Sequence, residues 1–194
     1  MARPREFDEA EVLDRAMLQF WRHGYEGTSV HDLVAATGLG RQSLYNTFGD
    51  KQALFLAALE RYDAKARDML KPLLREDAGL AELRGYVDAA IALQKTSRCR
   101  GCLVVRSALE LGAADRRVRA AVRRTAQRVR DGLRHAVAGA VARGEIVTRR
   151  APEELADYLF TTLNGLAGLA GTGADEAQAR RVVDLMFESL GQAG

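Results

Sequence analysis

The sequence predicts an all-α protein in two parts: an N-terminal three-helix helix-turn-helix domain joined to a larger C-terminal helical domain. Three observations lead there. Apolar residues recur at helical spacing along most of the 194 residues, with no strand-like alternation of any length. Glycine-, proline- or polar-rich breaks interrupt that pattern at "TSRCRG", "LGAAD", "RGEIVTRRAP" and "GTGAD". Helical stretches in residues 1–50 are mostly short and those in 51–194 are longer, which sets the expected boundary.

The first helix opens at Asp8 as N-cap, with Glu11 three residues on in a capping-box arrangement and Phe7 and Val12 placed as a staple. Leu13, Met17, Phe20 and Trp21 carry it to a stop at Gly24. A second helix, about 29–37, starts at Ser29 and sets Val30, Leu33 and Val34 on one face. Gly38-Leu39-Gly40 then forms a tight turn: a glycine takes positive φ and Leu39 pins the turn to the core. The third helix, 41–47, is barely two turns long. Asp50 caps a fourth, about 51–70, which ends near Pro72 and bridges the two parts. Longer amphipathic helices follow at about 79–95, 102–111, 115–143, 152–170 and 175–191.

Leu44 and Phe48 turn inward on the third helix, leaving Arg41, Gln42, Ser43, Tyr45, Asn46 and Thr47 outward. These side chains suit DNA: Arg pairs with guanine, Gln or Asn with adenine, and hydroxyls with phosphate. So short a helix suffices because only its first turns enter the major groove. Thr28, at the amino end of the second helix, is placed for a phosphate. Lys51, in the first turn of the fourth, gains little from the local dipole and suits an external anion. Arg3 and Arg5 lie on a proline-bearing arm that can follow the backbone or enter a minor groove. The net charge of +3 does not come from this segment. Residues 1–50 carry five Arg against eight acids, whereas residues 98–150 carry fourteen Arg against four.

The stretch "GTSVHDLVAATGLGRQSLYNTFGDKQALF" resembles the DNA-binding segment of TetR-family transcriptional regulators, and the likeness covers about residues 8–60. It rests on the threonine opening helix two, the turn glycine, Leu-Tyr-x-x-Phe ending helix three and the lysine that follows. The resemblance implies a dimeric repressor of double-stranded operator DNA, with Tyr45 and Lys51 on phosphates and Arg41, Gln42 and Ser43 on bases. It also implies a second part that forms a homodimer and a pocket for a small-molecule inducer. Gly40 departs from the pattern, standing where the family often has a serine or threonine cap, but glycine is an acceptable cap.

The helix at 152–170 is apolar around most of its circumference, with Leu155, Leu159, Thr162 and Leu166 on one side and Phe160, Leu163 and Ala167 on another. The last helix has a similarly wide arc. A two-fold, four-helix interface is expected from Leu155, Leu159, Thr162, Leu166, Val183, Met186, Phe187 and Leu190. The alternative is that both are core helices of one chain. The helix at 115–143 sets Arg116, Arg119, Arg123, Arg130 and Arg134 apart from its Val118, Val122, Thr125, Val129, Leu133 and Val137 stripe. That charged face is either solvated, a second nucleic-acid surface, or an attractor of an anionic ligand.

Cys99 and Cys102, in "TSRCRGCLVVRSALEL", are the candidate sensor. A helix N-terminus and the nearby Arg98, Arg100 and Arg106 favour thiolate, and C-x-x-C spacing permits a disulfide. "RGCLVV…LEL" is itself similar to a stretch in one group of these regulators, some of which sense electrophiles or oxidants through cysteine. The alternative is a packed Cys102 and an incidental Cys99.

Two cysteines are no disulfide scaffold, no secretory signal opens the chain and no apolar run approaches a membrane span, so the expected location is the cytoplasm. Nothing groups as nucleophile, base and acid, as a phosphate loop or as a metal site, and His23, His31 and His135 are scattered. An enzyme, a cofactor and a metal are therefore not expected. A third class, a sequence-indifferent binder using the Arg-rich helix, would survive loss of Arg41 and Gln42.

Overall fold

The computed structural model describes residues 7–96, 101–170 and 176–191, the last three residues before the first gap by backbone alone. Among these, the elements are α1 (Glu9–His23), α2 (Val30–Thr37), α3 (Arg41–Phe48), α4 (Lys51–Leu70), α5 (Leu80–Thr96), α6 (Leu103–Leu111), α7 (Arg116–Ala142), α8 (Pro152–Leu169) and α9 (Glu176–Leu190). A 3-10 turn, Lys71–Leu74, follows α4, and the described residues contain no strand.

The helix starts follow side-chain caps. Asp8 accepts from the Ala10 amide at 2.8 Å, and Asp50 from that of Ala53 at 2.7 Å. Asp115 accepts from the Arg117 amide at 2.7 Å. The capping box expected at α1 is not made, because Glu11 pairs with Arg15 at 2.5 Å. A box forms at α2 instead: Asp32 N–H donates to Ser29 Oγ, and Ser29 N–H to the Asp32 carboxylate.

Two cores result. The first joins Val12, Met17 and Phe20 of α1, Leu33 of α2, Leu44 of α3, Leu54, Phe55 and Leu59 of α4, and Leu103 and Val118 of α6 and α7. Phe20 meets Phe55 edge to face at 5.0 Å, and Trp21 meets Tyr62 at 4.9 Å. The hydrophobic core around the helix-turn-helix thus takes in α4 and the ends of α6 and α7, beyond residue 50. The second core gathers Leu70, Leu73, Leu83, Val87, Leu133 and Val137 against α8 and α9. Each large side chain buried this way contributes on the order of 1.5–3 kcal/mol.

The second core also takes most of the expected interface. Leu155 (5 % exposed), Leu159 (0 %), Val183 (2 %), Met186 (0 %) and Leu190 (1 %) pack into this chain's own core and offer little or no surface to a second copy. Thr162, Leu166 and Phe187 are half-buried. Both helices are apolar on two sides, and the chain's own core claims the broader one. The side left outward carries Tyr158 (42 %), Leu169 (49 %) and Leu185 (64 %).

α6 ties the two regions together. Arg106 pairs with Glu110 at 2.8 Å and donates to the Arg22 carbonyl at 3.1 Å, capping the open end of α1. Glu110 in turn accepts from the Tyr25 amide at 2.7 Å.

Candidate nucleic-acid interface

The turn before α3 is built as its residues demand. Gly38 sits in the left-handed region at φ 74°, donating to the Val34 carbonyl at 3.0 Å, and Leu39 packs on the first core. Gly40 caps α3 without a side-chain bond. Leu44 is the only fully buried residue of the helix, and Phe48 rests half-covered on the same core.

That anchoring turns Arg41, Gln42, Ser43 and Asn46 to solvent, with Tyr45 and Thr47 partly covered. The outward groups are ordered among themselves. Gln42 Nε2 donates to Asn46 Oδ1 at 2.9 Å, leaving the Gln42 carbonyl and the Asn46 amide nitrogen directed to solvent. Thr47 Oγ1 donates to the Ser43 carbonyl at 2.9 Å, and the Arg41 guanidinium lies 5.7 Å from the Tyr45 ring centre.

Lys51 stands beside this face, its Nζ 4.2 Å from the centre of the Tyr25 ring and without an ion pair among the described residues. Burial pushes the Tyr25 phenol up, and the charges of Glu26, Asp50 and Asp115 push it further. Thr28 departs from expectation: it is fully buried and its hydroxyl donates to the Gly24 carbonyl at 2.6 Å. It locks the α1–α2 turn, its hydroxyl committed to the chain's own backbone. Arg3 and Arg5 lie outside the described residues.

Behind the reader, α4, α5, α7 and α8 enclose a mainly apolar cavity of about 160 Å³, closed on one side by the start of α6. Tyr62, Tyr86, Ile91, Cys102, Phe160 and Asn164 are on its wall. Cys102 is half-buried at the N-cap of α6, and Tyr62 Oη donates to its Sγ at 3.5 Å. Burial pushes both tyrosine phenols up, with the Cys102 sulfur adding to it, so both stay neutral and able to donate. Cys99, Arg98 and Arg100 lie outside the described residues. Arg106 is already committed to Glu110 and α1.

The cavity's tyrosines are absent from the expectations drawn on sequence. One signal was present: Tyr62 continues the inward stripe of Phe55 and Leu59, and a phenol on such a stripe needs a polar partner. Among the described residues no group of three or more His, Cys, Asp or Glu is placed to hold a metal, and no helix is long and apolar enough to cross a membrane.

A donor-rich short helix on a glycine turn, backed by a helical unit with its own cavity, defines a helix-turn-helix transcriptional regulator. Residues 12–58 match the family described as bacterial regulatory proteins, tetR family, and residues 79–186 match the tetracyclin repressor-like C-terminal domain. The chain belongs to the TetR family of DNA-binding transcriptional regulators, a family of regulators and not of enzymes. It is 32 % identical over 193 residues to the uncharacterized HTH-type transcriptional regulator YezE of Bacillus subtilis, covering 98 % of this chain and 100 % of that one. It is 33 % identical over 175 residues to the HTH-type transcriptional repressor ComR of Escherichia coli, covering 89 % and 83 %. Among solved structures it is similar to a cysteine-substituted TetR-family regulator CifR complexed with 26-base-pair operator DNA. That match has a TM-score of 0.85 at 29 % identity, over 97 % of this chain and 100 % of that one.

Proposed function

We propose that the protein is a dimeric repressor, acting in the cytoplasm, that holds a pseudo-palindromic operator and leaves it when a small ligand fills the cavity or when Cys102 is modified. The observation that carries this reading is the position of Cys102: on the cavity wall, at the N-cap of the helix whose Arg106 and Glu110 grip the end of α1. The repressor activity of ComR and the operator complex of CifR support it.

Arg41, Gln42 and Ser43 read bases, while Tyr45, Asn46, Thr47 and Lys51 hold the backbone. Two copies join through the outward side of α8 and α9, around Tyr158, Leu169 and Leu185, with Thr162, Leu166 and Phe187 at its margin. The pair sets its two α3 helices about 34 Å apart, one turn of DNA. A ligand or thiol adduct that prefers another spacing empties the operator, and a complete switch takes about 5.5 kcal/mol of preference.

The test is fluorescence anisotropy on DNA from upstream of the protein's own gene, first reduced and then after a mild thiol oxidant. Tight, competitor-resistant binding that oxidation releases, and that Cys102→Ser renders insensitive, supports reader and sensor together. Equal binding in both states removes the thiol arm and leaves the cavity ligand as the signal. Loss of discrimination in Arg41→Ala/Gln42→Ala assigns the reading to α3; unchanged discrimination removes that assignment.

A further inference from the structure

We propose that the first turns of α7 form a second DNA-contacting strip, in which Arg116, Arg119, Arg123 and Arg124 hold backbone phosphates flanking the bases read by α3. The proposal rests on the DNA-binding reading above and adds to it a surface outside the helix-turn-helix.

Among its described residues the reader is short of free charge. Arg15 is tied to Glu11, and Arg22 already has a partner, which leaves Arg41 and Lys51 as the available cations of its described residues. Duplex DNA is a polyanion whose binding is driven largely by phosphate neutralisation. Residues 116–124, by contrast, hold five arginines and no acid. Arg117 approaches Asp115 at 4.0 Å, while Arg116, Arg119, Arg123 and Arg124 make no ion pair or side-chain hydrogen bond among the described residues.

The rest of α7 shows that this is not the habit of the whole helix. Arg128 pairs with Asp63, Arg130 with Asp157 at 3.1 Å, and Arg134 with Glu153 at 3.4 Å. Uncompensated charge is therefore concentrated at the N-terminal end. Cations in a helix's first turn also oppose its dipole, so nothing local rewards Arg116 and Arg119 for being there. Lys51 occupies the same position behind Asp50 in α4.

That end of α7 adjoins the start of α4, where Lys51 flanks the outward face of α3. Its N-cap, Asp115, accepts from the Gln52 side chain, next to Lys51, and both Asp50 and Asp115 act on Tyr25, the ring under the Lys51 ammonium. At 1.5 Å per residue, Arg116 to Arg124 carry the cationic surface roughly 12 Å along the flank of α4, from Gln52 beside Asp115 toward Asp63 beside Thr125. Backbone contacts of this kind add affinity and leave base preference unchanged.

The test compares full-length protein with Arg116→Gln/Arg119→Gln and, as an equal charge change beyond the far end of α7, Arg149→Gln/Arg150→Gln. Affinity is measured against salt on operator and on unrelated duplex. In the α7 variant, the slope of log K against log salt becomes shallower by about 0.9 for each phosphate no longer neutralised, and affinity falls at least tenfold on both DNAs alike. The far-end variant keeps the wild-type slope. Equal slopes in all three proteins overturn the strip, as do equal losses in both variants, which indicate a general field. Arg41→Ala, run alongside, tests the reader separately: if it keeps its discrimination, the α3 reading fails whatever the slopes show.

Discussion

The indole Nε1 of Trp21 donates to the carbonyl of Gly101 at 2.9 Å, a buried bond between residues 80 apart in sequence. It joins the last turn of α1 to the residue before Cys102. Gly101 is held from the other side as well: at φ 85° its backbone lies so close to α8 that an added Cβ would stand 2.2 Å from the Ala167 carbonyl. In the proposed switch, Gly101 and Trp21 are the two residues that link Cys102 to α1. Trp21→Phe keeps a ring against Tyr62 but leaves the Gly101 carbonyl unpaired, at an expected cost of about 1–3 kcal/mol in urea unfolding. Its operator affinity should stay near wild type while its response to cavity ligand or thiol oxidant weakens. An undiminished response would show that the signal travels another way.

Gly38 tests the turn. A Cβ there meets nothing nearer than Arg15 Nη1 at 3.9 Å, so Gly38→Ala carries the conformational cost of φ 74° without a clash. A loss of about 1 kcal/mol is expected, with Gly38→Asn milder because asparagine tolerates the left-handed region. Gly24→Ala should cost more than Gly38→Ala, since its Cβ falls 2.1 Å from Glu110 Oε1. Chemical denaturation of the three variants checks the order.

Neighbouring residues of α9 separate assembly from folding. Leu185 is 64 % exposed, and Leu185→Glu should yield monomer in sedimentation with little loss of helix. Met186 is fully buried, and Met186→Ala should cost about 2–5 kcal/mol of stability. A Leu185→Glu protein that remains dimeric would move the interface off this face.

Asp14 carries the clearest pH signature. Arg61 grips its carboxylate with two bonds of 2.8 Å, and Lys65 adds a third contact at 2.9 Å. The Arg61 hydrogen bonds, against the opposing effect of partial burial and with help from Lys65, hold the carboxyl down at about 2 instead of its ordinary 3.8. A carboxyl lowered by folding stabilises the protein fully above its ordinary value, and that stabilisation is lost as pH falls through about 2. Asp14→Asn should lower the melting temperature at neutral pH by roughly 2–4 °C. The gap to wild type should narrow as the pH drops from about 4 to about 2; a gap constant with pH would assign the loss to packing.

The helices were legible because their ends are written in single residues. Asp8, Ser29, Gly38, Asp50, Asp115 and Pro152 all mark starts or stops where the structure has them. The outward face of α3 was legible for a similar reason, since Leu44 and Phe48 leave only one way to turn the helix. The outward faces of α8 and α9 were not. A helix apolar on two sides does not say which side its own chain will take, and Leu159 and Met186 went inward. Thr28 misled because its place at a helix start is local information, while its hydroxyl's bond to Gly24 depends on how the turn closes. Trp21 with Gly101, Tyr62 with Cys102 and Gln52 with Asp115 are bonds between distant segments, and no local pattern announces such partners.

α3 is fastened to the protein by Leu44, with Phe48 and Leu39 leaning on the same core. Arg41, Gln42, Ser43 and Asn46 contribute nothing to that attachment. On the proposed reading of α3, the promoter address is separable from the frame that carries it. If α3 reads the operator as proposed, a duplicated gene can be redirected to a new promoter by changes at these exposed positions, each costing the fold almost nothing, while the cavity behind them passes unchanged to the descendant. Repertoires of regulators that hear related signals and speak to different genes are a natural product of such a design.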